Sequence, residues 1–320
     1  MAIEVNLAPP NISAYQAGNT GIDYYTSFDS GKPGPHVLVN AVTHGNELCG
    51  AIVIDFLFRH DVRPTRGALT LGFANIMAYL QFDPARPTAS RFVDEDFNRL
   101  WSTDVLDGPR DSVELQRARE IRPLIDTVDL LLDLHSMQQS CPPLMLCGPL
   151  DKGRTFAEGV GVPMNVIADE GHAAGRRMRD YGAFGDPASP KNALLVECGQ
   201  HWEKESAEVA LETTLRFLRH IDIIDPDFAA QHLPKKAPPR QQIIEVTEAI
   251  TVRSSEFAFS APFKGLEVIL KAGDVIGHDG DMPVLAPYDN CVLIMPLQRL
   301  YPGQTAVRLG RIISNQAVAG

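Results

Sequence analysis

No run of this 320-residue sequence approaches the length of apolar chain needed to cross a bilayer. Its start, Met1-Ala2-Ile3-Glu4-Val5, has neither the basic opening nor the apolar core of a secretory signal, so a cytoplasmic protein with no membrane partner is expected. Cysteine is sparse. The five (Cys49, Cys141, Cys147, Cys198, Cys291) are odd in number and form no CxxC pair, which excludes a disulfide framework and a cysteine-built zinc site. Excess positive charge is lacking too: a formal net charge of -11 opposes nonspecific attraction to nucleic acid or to anionic membranes. There is no internal repeat and no low-complexity tract. With 44% hydrophobic and 22% charged residues, the composition is that of an ordinary globular protein.

What is present begins with His44-Gly45-Asn46-Glu47. Two metal-ligand types three residues apart follow an apolar run, Val37 to Thr43, that reads as a buried strand, and they precede a helix over Ala51 to Phe58. Imidazole nitrogen and carboxylate oxygen are ordinary zinc ligands, and residues three apart in a first helical turn can face one ion. A catalytic zinc usually takes three protein ligands, so a third donor is expected at another strand end. His135 supplies it, closing the run Leu130 to Leu134. A lone histidine beside an apolar strand is more often a hydrogen-bonded core residue, and only the combination raises the metal reading. The other histidines (His36, His60, His172, His201, His220, His232, His278) lack this context and read as surface or packing residues.

Strand and helix signals alternate over the first two thirds: strand near 36–43, helix near 47–60, strand near 68–75, helix near 112–126, strand near 128–135, strand at 193–196 and helix at 203–220. That rhythm predicts an α/β domain whose strands are covered on both faces. The basic, proline-rich stretch His232 to Arg240 marks a boundary, giving a catalytic domain at 1–235 and a smaller domain at 236–320. Beyond it, short β-like pieces (243–252, 256–259, 266–270, 284–295 and 305–309) predict an all-β barrel or sandwich. The stretch Lys271 to Gly277 is similar to biotinyl and lipoyl carrier domains, but Leu293-Ile294-Met295-Pro296 stands where a carrier presents its lysine, so the likeness implies architecture alone.

Two further stretches carry chemistry: Arg91-Phe92-Val93-Asp94-Glu95-Asp96-Phe97-Asn98-Arg99, and Val196-Glu197-Cys198-Gly199 at another strand end. With THGNE, DFNR, DLHS and VECG in that order, the chain resembles the succinylglutamate desuccinylase/aspartoacylase family, a branch of the zinc carboxypeptidase-like superfamily. The resemblance implies a mixed sheet flanked by helices and one zinc ion on His44, Glu47 and His135. It further implies Glu197 as catalytic carboxylate, Arg91 facing the reacting carbonyl, Asn98 and Arg99 gripping a substrate carboxylate, and Asp96 orienting His44. In some relatives a tyrosine from the C-terminal domain enters the pocket, which makes Tyr288 the candidate here. The arginine that aspartoacylases carry shortly before this glutamate has no counterpart within ten residues of Glu197, so N-acetylaspartate itself is not implied.

Read alone, Arg91 and Arg99 among Asp94, Glu95 and Asp96 are a surface ion-pair cluster, Glu197 is a helix cap or a lysine's partner, and Cys198 is a small buried hydrophobe. Arg176, Arg177 and Arg179 read as a solvated basic run, with a mobile active-site loop as the functional alternative. His201 either lines the pocket or holds structure. The expected function is a zinc-dependent amide hydrolase acting on an N-acylated amino acid or a similar small carboxylate-bearing amide. A metallocarboxypeptidase acting on peptides and a noncatalytic metal-binding protein are the alternatives, and a homo-oligomer is left open.

Overall fold

The computed structural model describes residues 4–171, 174–298 and 300–313; Met1 to Ile3, part of the stretch read above for a signal, and His172 lie outside the described residues. The alternating strand and helix signals become a parallel core. Strands β1 (Tyr25–Asp29), β2 (His36–Ala41) and β3 (Ala68–Phe73) are followed by β4 (Leu130–Met137), β5 (Leu144–Leu146), β6 (Asn165–Ala168) and β7 (Asn192–Gln200). β2 runs parallel to β3 and β4, and β4 runs parallel to β7. β1 closes one edge antiparallel to β3, and β5 pairs antiparallel with β7.

The β2, β4 and β7 runs are apolar on both faces because helices cover both. Val37, Val39, Leu132, Leu134, Leu194 and Val196 join one core with helix α1 (Leu48–Arg59). The alternate residues Leu38, Leu131 and Ala193 join a second core. The short helices α2 (Ile76–Tyr79) and α3 (Thr103–Leu106) precede α4 (Val113–Thr127), whose Leu115, Ala118, Ile121 and Ile125 pack into that second core. Helices α5 (Asp151–Val160), α6 (Lys204–His220) and α7 (Pro226–His232) complete the first side.

The boundary expected at 235/236 falls in the connection between α7 and strand β8 (Gln242–Thr251). β8 pairs in parallel with β6, from Asn165 opposite Gln242 to Ala168 opposite Glu245, so the main sheet does not stop there. It continues through β14 (Thr305–Ile313), β13 (Cys291–Ile294) and β10 (Val268–Ile269), all antiparallel, to make eleven strands. Strands β9 (Phe257–Phe259), β11 (Val275–Asp279) and β12 (Met282–Leu285) form a separate three-stranded sheet. The single β piece expected over 284–295 is two strands, because the turn after Ala286 holds Asn290 in the left-handed region, at φ 58°.

Candidate active site

The carboxyl ends of β2, β4 and β7 deliver the polar residues. Beyond β2 the backbone turns sharply: Val42, a β-branched residue, sits at φ 62°, an uncommon and strained conformation. Gly45 is required by close approach, since a Cβ there would collide with the backbone of Ala78 and Tyr79 and with the Ser90 carbonyl. His44 and Glu47 thus lie in the turn that precedes α1, with Glu47 at its N-cap, and not within its first turn as expected. From β4 comes His135, whose register partner on β7 is Glu197.

These side chains converge. Glu47 bridges both histidines, with Oε1 2.7 Å from Nδ1 of His44 and Oε2 2.9 Å from Nδ1 of His135. The three residues offer ligand atoms within 4.8 Å of one another, and all three are buried. The far ring nitrogens are held by carboxylates: Nε2 of His44 lies 3.0 Å from Asp96 Oδ1, and Nε2 of His135 lies 2.8 Å from Asp133 Oδ2. This is the outer support that fixes a metal-binding histidine's tautomer and aims its other nitrogen at the ion. Burial opposes ionisation of Glu47, but the adjoining histidines more than offset it and hold the carboxyl well below its usual range. Burial likewise opposes a charge on His135, yet Asp133 and Glu47 drive its pKa well above the ordinary value. The carboxylates call for positive charge at the inward nitrogens, as a divalent cation would supply. The donor set therefore fits such an ion.

Glu197 lies on the same wall in the opposite environment. Its Oε2 is buried with no hydrogen-bond partner among the described residues. Burial pushes its carboxyl up to about 7, with the neighbouring His135 and Arg91 pulling the other way. Arg91 donates to Asp96 Oδ2 at 3.0 Å and reaches within 3.7 Å of Glu47, so it belongs to the site and not to a surface cluster. Asp96 also caps the 3-10 turn Phe97–Arg99, accepting from the Asn98 N–H. Asn98 Oδ1 accepts from the Met178 N–H at 2.9 Å, which leaves its Nδ2 as the donor toward the cavity. Arg99 donates to the Asn98 carbonyl and lies 4.0 Å from Asp96.

His44, Glu47, His135, Glu197, Arg91, Asp96, Asn98 and Arg99 all line one cavity of about 780 Å³. Tyr288 does not line it: its hydroxyl bonds Thr247 Oγ1 and its ring stacks under Arg311. The C-terminal part of the chain contributes Arg308, from β14, and the exposed Tyr301, from the connection between β13 and β14, instead.

The chain matches the model of the succinylglutamate desuccinylase/aspartoacylase catalytic domain over residues 33–221. The chain belongs to this family. A relative named N-acyl-aromatic-L-amino acid amidohydrolase (carboxylate-forming), from Rattus norvegicus, is 30% identical over 116 residues, 33% of this chain and only 35% of its own length. A succinylglutamate desuccinylase of Vibrio vulnificus is 24% identical over 296 residues, covering 85% of this chain and 79% of its own. The crystal structure of the succinylglutamate desuccinylase from Vibrio cholerae superposes with a TM-score of 0.64 at 19% identity, covering 88% of this chain and 82% of that one, which shows a shared fold.

Against this family background, sequence reasoning missed several residues. Asp133 is fully buried and also accepts from Asn40 Nδ2 at 2.8 Å and from Thr43 Oγ1 at 3.0 Å; its place two before His135, on one face of a strand, was the available signal. Glu114, also buried, accepts from the backbone N–H groups of Val93, Asp94 and Glu95 and so pins the loop that carries Arg91 and Asp96. The solvated basic run is a correction. Arg176 is exposed, but Arg177 and Arg179 are buried, because Asp169 and Asp180 meet the first and Asp180 with the Cys147 and Ala193 carbonyls meets the second. His201 lies outside the cavity lining; its Nδ1 sits 2.8 Å from Ser136 Oγ, and burial lowers its pKa to about 3, so the ring is neutral. Cys198 is buried as expected, and burial raises its thiol well above the ordinary range.

Proposed function

We propose that the protein is a zinc-dependent amide hydrolase that releases an acyl group from an N-acylated amino acid or a similar small carboxylate-bearing amide. The observation that carries this reading is the convergence of the His44, Glu47 and His135 donors beside an unpartnered Glu197 oxygen on one cavity wall. His44 and His135 through Nδ1 and Glu47 through its carboxylate would hold the ion. When bound, zinc would supply Lewis acidity toward the amide carbonyl and toward water.

The remaining chemistry falls to side chains of this chain. Glu197 Oε2 takes the proton from the attacking water and returns one to the amine nitrogen as the C–N bond breaks; with a pKa near working pH, a carboxylate serves both directions. Arg91 offers its guanidinium to the charge that builds on the carbonyl oxygen. Arg99 and the Asn98 amide hold the carboxylate of the substrate. Residues of the C-terminal part, among them Thr251, Lys264, Met295 and Arg308, line the facing wall, which favours small amides over extended peptides. The names of the rat and Vibrio relatives, an amidohydrolase of N-acyl amino acids and a desuccinylase, support the same reaction class.

The test combines metal analysis of the purified protein with amine release from a panel of N-acyl amino acids. Stoichiometric zinc with turnover that chelation abolishes is expected. Zinc-loaded protein inert toward every member of the panel would reject the proposal, and trimming of extended peptides at higher efficiency would replace it with the carboxypeptidase reading.

A further inference from the structure

Glu114 takes no step in the proposed chemistry and does not line the cavity, yet it is fully buried. Its Oε1 accepts from the Val93 N–H at 2.6 Å and from Asn75 Nδ2 at 3.1 Å, and its Oε2 accepts from the N–H groups of Asp94 at 3.0 Å and Glu95 at 3.2 Å. All of these donors are neutral, and no cation pairs with Glu114 among the described residues. A carboxylate withdrawn from water is costly unless donors converge on both oxygens, as they do here. The first turn of α4, where the helix dipole favours negative charge, adds its support.

The donors come from two separate loops. Val93, Asp94 and Glu95 lie between Arg91 and Asp96, and α4 grips the same loop in return, since Asp94 Oδ2 accepts from the Val113 N–H at 2.8 Å and Ser112 Oγ donates to Glu95 Oε1. Asn75 follows β3: its N–H donates to the Val42 carbonyl at 2.9 Å, its Oδ1 caps α2, and the backbone of Ala78 and Tyr79 in that helix abuts Gly45, next to His44. A direct bond from the Gly45 N–H to the Arg91 carbonyl, at 3.1 Å, joins the two loops on the other side. One carboxylate therefore ties the turn that carries His44 to the loop that carries Arg91 and Asp96. We propose that Glu114 is a positioning residue for the reaction: through the backbone, and without touching substrate or ion, it holds the Arg91 guanidinium and the Asp96 carboxylate in register with His44 and Glu47. The inference rests on the hydrolase reading for its kinetic arm alone.

Glu114→Gln tests this at constant volume, because the amide nitrogen is itself a donor and would face N–H groups at one of the two oxygen positions. Its kcat should fall about 10- to 100-fold, the usual worth of a group that orients active-site residues from behind, with KM changed less. In an Arg91→Gln background the same substitution should cost far less, since the group it positions is gone, whereas a general loss of folded protein would cost the same in both. Zinc affinity in a competition titration should fall about tenfold, because Asp96 orients His44. Amide exchange on the unaltered protein needs neither turnover nor a variant: the Val93, Asp94 and Glu95 N–H groups should be protected like those of the core strands, although the Asp94 side chain is exposed. Exchange of these three amides at the rate of a free loop, equal kcat losses in the two backgrounds, or kcat and zinc affinity both unchanged in Glu114→Gln would overturn the inference while leaving the hydrolase reading in place. Protected amides and the loss of zinc affinity in a protein that hydrolyses no amide would sustain the positioning of Asp96 and His44 and remove the reaction.

Discussion

The cavity has two walls of different character. On the wall built by the ends of β2, β4 and β7, most of the polar groups are tied to another: Glu47 to both histidines, each histidine to an aspartate, and Asp133 onward to Asn40 and Thr43. On the wall from the C-terminal strands, Arg308 is tied to nothing among the described residues and Tyr301 is 64% exposed. A closed network fixes geometry within fractions of an ångström, as bond-making requires, while an open one leaves its capacity for a ligand. Under the function proposed above, the first wall carries the reaction and the second is left open to the substrate.

Substitutions on the first wall should strike rate, and the largest effect is expected at Glu197, whose buried Oε2 has no hydrogen-bond partner among the described residues. Glu197→Gln should cut kcat by about 10²–10⁴-fold, the usual worth of a general base, with zinc content unchanged by metal analysis. Because Glu197 must be ionised to accept a proton and burial holds its pKa at about 7, activity of the unaltered enzyme should rise with pH through about 7. An activity profile flat from pH 5 to 8 would remove Glu197 from this role. Arg91→Gln should lower kcat by about 10²–10³-fold, the scale of a lost oxyanion donor, in steady-state kinetics. Asp133→Asn should weaken zinc binding by about 10–100-fold in a competition titration, since it disturbs His135 from behind without removing a ligand. Smallest of all, Tyr288→Phe should change kcat/KM by less than about twofold, because its hydroxyl serves Thr247 and a surface hydrogen bond contributes little. A large loss there would blur the distinction between the walls.

The contrast also explains what was legible in the sequence. His44, Glu47 and His135 could be found because the ligand types, their spacing and the adjoining apolar strands are local signals, and the strand positions follow from the two-faced burial of β2, β4 and β7. Asp133 carried a local signal as well, the alternation that puts it beside His135 on one face. Glu114 carried none, since an acid in the first turn of a helix reads as a favourable end charge. Arg308 was equally silent: an arginine alternating with Val307 and Leu309 on a strand reads as a solvent-facing residue until the sheet pairing turns it inward. Arg177 and Arg179 misled because a charge run does not reveal burial: Asp180 is close in sequence, but Asp169 lies eight residues from Arg177, and the Cys147 and Ala193 carbonyls that hold Arg179 come from other strands and loops. Strands β5 and β6, only three and four residues long, are below what periodicity can resolve.

The pairing of β6 with β8 has a consequence for how this cleft is held together. Backbone rungs run without a break from β4, which bears His135, to the strand bearing Arg308, so the roof is welded to the floor rather than hung from it. A one-residue slip along that seam would turn the roof's inward-facing side chains outward in a single stroke.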